Sequence, residues 1–94
     1  MNKYESVIII SSKVEEKGLE DIKTKFTNLI NNDGKVESVE DLGRKKLAYE
    51  IKGNAEGNYV LFNFEANPDF IKELERIYRI TDEVIKFIVV RKED

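Results

Sequence analysis

Tyr4-Glu5-Ser6-Val7-Ile8-Ile9-Ile10 is the stretch that decides the fold, because its last four residues form an unbroken apolar run. A strand with one face in water needs a polar residue at every second position, and residues 7–10 offer none. We therefore expect both faces of this strand to be covered and the strand to lie in the centre of a sheet.

An amphipathic helix follows this strand. Ser12 and Glu15 have the spacing of a capping box, which predicts that the helix begins beside them. Apolar residues then recur at steps of three and four residues, at Leu19, Ile22, Phe26, Leu29 and Ile30. We expect the helix to end near Asn32, with Gly34 in the left-handed turn that closes many helices.

Two strand-like segments, residues 36–42 and 44–51, meet at Gly43. No loop-length gap separates them, so we expect one long, bent strand with a bulge at the glycine. Residues 52–57 are predicted to form a polar turn, and residues 59–64 to return as the second strand of a hairpin.

A second helix and a last strand complete the chain. Asn67 and Pro68 mark a helix start, with the asparagine as cap. The apolar positions that follow have helical spacing and are Phe70, Ile71, Leu74, Ile77 and Tyr78. Residues 84–90 read as a strand, and residues 91–94 are predicted to leave the sheet for solvent.

The order strand, helix, strand, strand, helix, strand is that of ferredoxin-like α+β domains. Right-handed crossovers place both helices on one face of a four-stranded antiparallel sheet. The other face stays open and is where we expect the function to lie. With 94 residues, the chain has room for a single domain spanning residues 1–94.

The residue types that are missing narrow the function classes. The chain has no Cys and no His, so disulfides, thiolate metal sites and the usual general base are excluded. We expect no enzyme, no cofactor, no metal site and no small-molecule substrate. Neither a secretion signal nor a membrane-spanning stretch is evident, which favours a cytoplasmic location.

The charge balance opposes unaided binding to nucleic acid. Sixteen Lys and Arg face nineteen Asp and Glu, for a net charge of −3. Because each neutralised phosphate contributes through counterion release, an acidic protein gains little of this free energy by itself. Any contact with RNA must be local or shared, and a basic protein is a natural partner.

The triplet Arg44-Lys45-Lys46 is the densest cationic segment in the middle of the chain. Strand alternation places Arg44 and Lys46 on one face and Lys45 on the other, so only the first two can form one patch. The triplet fits an interaction surface, and it equally fits an edge strand that is protected from aggregation by charge.

Tyr4, Tyr49 and Tyr59 could stack on RNA bases, as aromatic rings on open sheets of this topology do. The third strand lacks the basic start and the paired aromatics typical of RNA-recognition domains. Packing inside the protein is the competing interpretation for all three rings.

The chain resembles the bacterial small-subunit ribosomal protein S6 family along essentially its whole length. The most specific part of the resemblance is Leu42-Gly43, the basic residues after it, and Leu47-Ala48-Tyr49 with Ile51. Other matching positions are Tyr4-Glu5, Gly34, Gly57 before Tyr59, and Val89-Val90-Arg91.

The resemblance implies a ferredoxin-like structural component of the small ribosomal subunit that has no catalytic role. It also implies binding to the central domain of small-subunit ribosomal RNA, as a heterodimer with a small basic neighbour, ribosomal protein S-eighteen. On this basis the basic partner supplies most of the phosphate neutralisation, and this chain adds local contacts.

The resemblance and the sequence pattern together predict the residues that contact the partner or the RNA. They are Lys3, Tyr4, Arg44, Lys46, Tyr49, Tyr59 and Arg91. The chain departs from the family pattern at Asn2, where an Arg is common, and at Glu50, where a Pro is common. Lys3 is then the only cation next to the amino terminus.

Two other function classes are open to a chain of this topology. A regulatory domain would bind a small metabolite, although such domains are normally fused to an enzyme. An enzyme would need an acid–base pair, which a raised carboxyl pKa inside a pocket would indicate.

Overall fold

The computed structural model describes residues 1–92 and confirms the predicted order of elements. These are β1 (Asn2–Ser11), α1 (Glu16–Asp33), β2 (Lys35–Ile51), β3 (Asn54–Ala66), α2 (Pro68–Ile80) and β4 (Val84–Arg91). The four strands form one sheet in the order β2-β3-β1-β4, and every neighbouring pair is antiparallel. The fold is the predicted ferredoxin-like one.

The chain end follows the sheet further than predicted. β4 continues through Arg91, and the Lys92 amide donates to the Lys3 carbonyl over 2.8 Å. The rest of the tail that was predicted to leave the sheet, residues 93–94, lies outside the described residues.

β1 is a central strand, as its apolar run predicted, but only the face toward the helices is fully covered. It pairs with β3 on one side and with β4 on the other. Its even-numbered residues from Tyr4 to Ile10 point toward the helices and are buried. Val7 and Ile9 point to the opposite face, where Ile9 is nearly as well buried.

Both helices bury one apolar stripe on the same face of the sheet. The buried side chains recur every four residues, at Ile22, Phe26 and Ile30 in α1 and at Phe70, Leu74 and Tyr78 in α2. They pack on alternate residues of β3, namely Val60, Phe62 and Phe64. No helix within residues 1–92 is both long and apolar enough to cross a membrane.

One polar pair lies inside this core. The hydroxyl groups of Ser6 and Tyr78 are 2.8 Å apart and hydrogen-bonded, and both residues are fully buried. Burial raises the pKa of Tyr78 because the phenolate would lose its hydration, so the ring stays neutral. The pair satisfies two hydroxyl groups that would otherwise be unpaired in an apolar environment.

The predicted capping of α1 was wrong at both ends. The helix begins at Glu16, and its cap residue, Glu15, makes no side-chain hydrogen bond to the helix end. Ser12, the predicted cap, lies outside the helix and donates its hydroxyl to Asn54. Gly34 has φ −148° and ψ −137°, which is not the predicted left-handed conformation. A side chain at Gly34 would overlap the carbonyl oxygen of Glu65, so the glycine is needed for close approach to β3.

Gly43 does form the predicted bulge in β2. Its φ is +84°, and the pairing between β2 and β3 shifts between Asp41 and Gly43. The Asp41 carboxylate braces the bulge by accepting from the Gly43 amide over 2.9 Å. Lys23 on α1 donates to the same carboxylate over 3.1 Å.

The hairpin turn is shorter than predicted. Only Lys52 and Gly53 form it, with φ of 48° and 78°, and β3 already begins at Asn54. Two consecutive residues with positive φ are typical of a type I′ turn, whose twist matches the flanking strands. The turn predicted over residues 52–57 is therefore mostly strand.

The clean alternation predicted for residues 44–51 breaks after Lys46. Between the Lys46–Glu56 and Ile51–Asn54 pairs, β2 has four residues and β3 has only Ala55. Residues 47–50 therefore have no individual partners on β3 and form a wide bulge within β2. We call this segment the flap.

Candidate partner and RNA interface

The face of the sheet away from the helices has an apolar centre. Strand pairing places Leu61, Val7 and Ile88 side by side across β3, β1 and β4. Tyr59 and Ile9 lie in the next row, and Val90 is on the other side of Ile88. Because Ile88 is 57% exposed and Val90 is 50% exposed, this face keeps large apolar side chains in contact with water.

A shallow depression lies within this apolar centre. Its volume is about 250 Å³, and it is lined by Val7, Ile9, Tyr59, Lys86, Phe87 and Ile88. Small-molecule sites usually enclose roughly 300–1,000 Å³. The depression is therefore at the small end for a metabolite and large enough for one or two apolar side chains.

Two lysines contact tyrosine rings beside the depression. The Lys45 ammonium is 5.6 Å from the centroid of the Tyr59 ring, and Lys86 is 5.7 Å from that of Tyr49. Both distances are in the range of cation–π contacts. Neither ring is free to stack without disturbing a lysine, although Tyr49 is 65% exposed.

Carboxylates border the same apolar centre on two sides. Glu40 on β2 pairs with Leu61, and Glu5 on β1 lies between Asn63 and Val90. Lys92 is 4.0 Å from the Glu5 carboxylate and half-exposed, so it screens that charge only loosely. The open face thus presents an apolar centre bordered by charges of both signs, with Glu5 and Glu40 among Lys45, Lys86 and Lys92.

Arg44 and Lys46 share one face, as predicted, but it is the face toward the helices. They pair with Asn58 and Glu56 on β3. The Arg44 guanidinium donates to the Ser12 carbonyl over 2.8 Å and is 3.8 Å from the Glu56 carboxylate. Both cations are exposed on the edge strand β2, at the end of the sheet that holds the β2–β3 turn.

Asn54 organises this end of the sheet, and the sequence interpretation missed it. Its side-chain oxygen accepts from the Ser11 hydroxyl, the Ser12 amide and the Ser12 hydroxyl over 2.8, 3.1 and 3.0 Å. Its amide group donates to the Ile51 and Lys52 carbonyls, each over 3.1 Å. An Asn beside a two-residue turn was the only local signal, because the serines are more than 40 residues away in sequence.

The remaining predicted contact residues lie at the opposite end of the sheet. Tyr4 pairs with Phe64 on β3 and with Arg91 on β4, next to Lys3. Phe64 and Asn58, the partner of Arg44, are six residues apart along β3, which corresponds to about 20 Å of strand. The seven predicted residues therefore do not form one site. They are split among the two ends of the sheet and, for Tyr49 and Tyr59, the depression on the open face.

Tyr4 does not present its ring to a ligand. Only 6% of the residue is exposed, and the ring stacks on Phe64 with centroids 5.7 Å apart. Lys3 and Arg91, by contrast, are exposed. Among residues 1–92, no group of three or more side chains is arranged to bind a metal ion.

Comparison with known proteins gives consistent matches over the full length. The family model for ribosomal protein S6 matches residues 3–91. Small ribosomal subunit protein bS6 from Alkaliphilus oremlandii is 46% identical over 93 residues, which are 99% of each chain. The protein of that name from Caldanaerobacter subterraneus is 39% identical over 95 residues and covers 100% of both chains.

A solved structure has the same fold. The crystal structure of 30S ribosomal protein S6 from Thermotoga maritima superposes with a TM-score of 0.92 at 35% sequence identity. The match covers 97% of this chain and 87% of that one.

Proposed function

The chain belongs to the ribosomal protein S6 family, and from that membership we propose that it binds the central domain of small-subunit ribosomal RNA together with a basic partner, ribosomal protein S-eighteen. Membership makes it a structural component of the small ribosomal subunit, which works in the cytoplasm. The RNA contact and the partner are the parts that we propose.

The open face of the sheet supports the proposal of a basic protein partner. Its exposed apolar centre would be covered in a complex, and Glu5 and Glu40 at its borders can each pair with a cation of a basic polypeptide. Tyr49 and Tyr59 belong to this surface because both lie beside the depression. Tyr4 supports the surface from within the core and makes no direct contact.

Exposed cations at the two ends of the sheet support the proposal of an RNA contact. Arg44 and Lys46 are exposed at one end, and Lys3 and Arg91 at the other. Two cationic positions about 20 Å apart can contact separate phosphates of one RNA backbone, whereas a single nucleotide could reach only one of them. Because the protein carries a net charge of −3, these contacts add to a complex that the basic partner dominates.

The partner surface is tested by placing a charge in it. Ile88→Glu introduces a carboxylate into the apolar centre, and we expect it to weaken binding of the basic partner by at least about tenfold, since the charge must be desolvated. Ile80→Glu is the matched control, because Ile80 is 64% exposed but lies at the end of α2. Titration calorimetry measures both variants, and equal affinities would refute the assignment of the open face.

The RNA surface is tested by reversing charge. We expect Arg44→Glu with Lys46→Glu to weaken the complex with partner and RNA by a few kcal/mol and to reduce its salt slope by about 2. Lys17→Glu with Lys72→Glu, on the exposed surfaces of the helices, makes the same change in charge. If both double variants lose affinity equally, net charge and not position is responsible.

A metabolite-binding regulatory domain is the second function class considered above. The depression on the open face, at about 250 Å³, is small for such a site. We therefore do not propose this function.

A further inference from the structure

We propose that the flap, residues 47–50, is a gate on the open face that Tyr49 and Lys86 hold closed in the free protein. This inference deepens the proposed function and rests on it, since the gate controls the face to which the basic partner docks.

The flap differs from the rest of β2 because its residues are not individually paired with residues of β3. Its four residues lie opposite Ala55 alone, whereas Lys46 and Ile51 on either side are each paired with β3. Ala48, Tyr49 and Glu50 are exposed, and Leu47 is half-buried. The segment is therefore anchored by strand pairing at both ends and is unpaired and mostly exposed between them, as expected for a part that moves.

The contact between Tyr49 and Lys86 crosses the sheet. The Tyr49 hydroxyl is 3.5 Å from the Lys86 ammonium, which also lies 5.7 Å from the ring centroid. β2 and β4 are the two edges of the sheet, with β3 and β1 between them. The two side chains therefore meet above the central strands, on the open face.

Lys86 couples the flap to the docking surface. It lines the depression together with Val7, Ile9 and Ile88, and it is the flap's contact on β4. A partner side chain that enters the depression displaces Lys86, which lines it, and so separates Lys86 from Tyr49. Docking and closure of the flap are therefore mutually opposed.

The free energy of the contact between Tyr49 and Lys86 determines how often the flap is open. An exposed lysine–tyrosine contact favours the closed state by about two- to fivefold, which leaves the flap open for about a third to a sixth of the time. Such a gate is weak enough to open on docking. Without the contact the open and closed states are about equally populated, so its loss raises the association rate by about 1.5- to threefold.

The first test needs no partner. We compare wild type, Lys86→Gln and the matched control Lys45→Gln, which removes the same charge from the same face and leaves the flap contact in place. In NMR spectra of the free proteins, Lys86→Gln is expected to increase backbone mobility in residues 47–50 and to shift the methyl signals of Ile9 and Ile88. No change in Lys86→Gln, or the same change in Lys45→Gln, would overturn the gate.

The second test measures association of the basic partner, ribosomal protein S-eighteen, by stopped flow. Lys86→Gln is expected to associate about 1.5- to threefold faster than Lys45→Gln. An equal or slower rate would overturn the gate even if the flap is mobile. Failure of the proposed function has a different signature, because all three proteins would then fail to bind the partner.

Discussion

At the scale of single residues, the buried pair of Ser6 and Tyr78 shows what a polar group does inside this core. Helical spacing predicts that Tyr78 is buried, and the apolar run after Ser6 places the serine in a central strand. That the two hydroxyl groups meet could not be read from the sequence. They are 72 residues apart, and only the packing of α2 on β1 brings them within 2.8 Å.

Because the two hydroxyl groups bond to each other, we expect the stability losses of the two single variants not to add in the double variant. We expect Ser6→Ala and Tyr78→Phe each to lower the free energy of unfolding by about 1–3 kcal/mol, because each leaves one buried hydroxyl unpaired. The double variant removes both groups and should cost much less than the sum of the two. Urea denaturation of all four proteins measures the coupling, and additive losses would show that the hydrogen bond is not the cause.

Two glycines are predicted to differ in how they respond to a methyl group. Gly34→Ala should destabilise by roughly 3 kcal/mol or prevent folding, because its side chain would overlap backbone of β3 that cannot move away. Gly43→Ala meets no atom within 4 Å and should cost only about 1–2 kcal/mol, from its φ of +84°. Thermal denaturation compares them, and the reverse order would refute this assignment of roles.

At the scale of elements, β2 is the strand whose behaviour sequence patterns predicted least well. The bulge at Gly43 could be predicted because a glycine interrupts two apolar segments without a gap. The flap could not, because Leu47, Tyr49 and Ile51 keep the alternation of an ordinary strand. What decides the flap is the early start of β3 at Asn54, and that start depends on hydrogen bonds to Ser11 and Ser12 across the sheet.

The brace at the β2 bulge is predicted to depend on pH. The Gly43 amide and then Lys23 hold the pKa of Asp41 below its ordinary value of about 3.9. A lowered pKa in the folded state stabilises the fold above the unfolded pKa, and this stabilisation is lost as the pH falls through the folded value. The contribution should be below about 1 kcal/mol, because Asp41 is exposed and solvent screens it.

Asp41→Asn should therefore flatten the acid side of the stability curve below about pH 4. Glu40→Gln is the control, since Glu40 is the next residue and faces the open side of the sheet. Urea denaturation between about pH 2 and pH 6 measures both. An unchanged acid slope in Asp41→Asn would show that the brace is not a source of stability.

At the scale of the whole molecule, the split of the contact residues is the main difference from the sequence interpretation. A list of seven residues suggested one surface, whereas the sheet places Lys3 and Arg91 at one end and Arg44 and Lys46 at the other. The fold itself could be predicted because periodicity and turn signals are local. Distances between sites depend on strand register, which hydrogen bonds far apart in sequence determine.

The apolar open face and the net charge of −3 together make this a protein that we expect to depend on its partner. The apolar face supplies shape and area for docking, and the four cations of the predicted contact set supply few phosphate contacts. A protein of this kind contributes geometry to an assembly, and its basic neighbour contributes most of the charge.

The most direct test is a titration of a central-domain RNA fragment with this protein alone, with the basic partner alone, and with both, at several salt concentrations. We predict weak binding by this protein alone, and a large gain in affinity with a steeper salt slope when both proteins are present. Tight RNA binding by this protein alone, or an affinity of the pair no greater than that of the partner alone, would contradict the account.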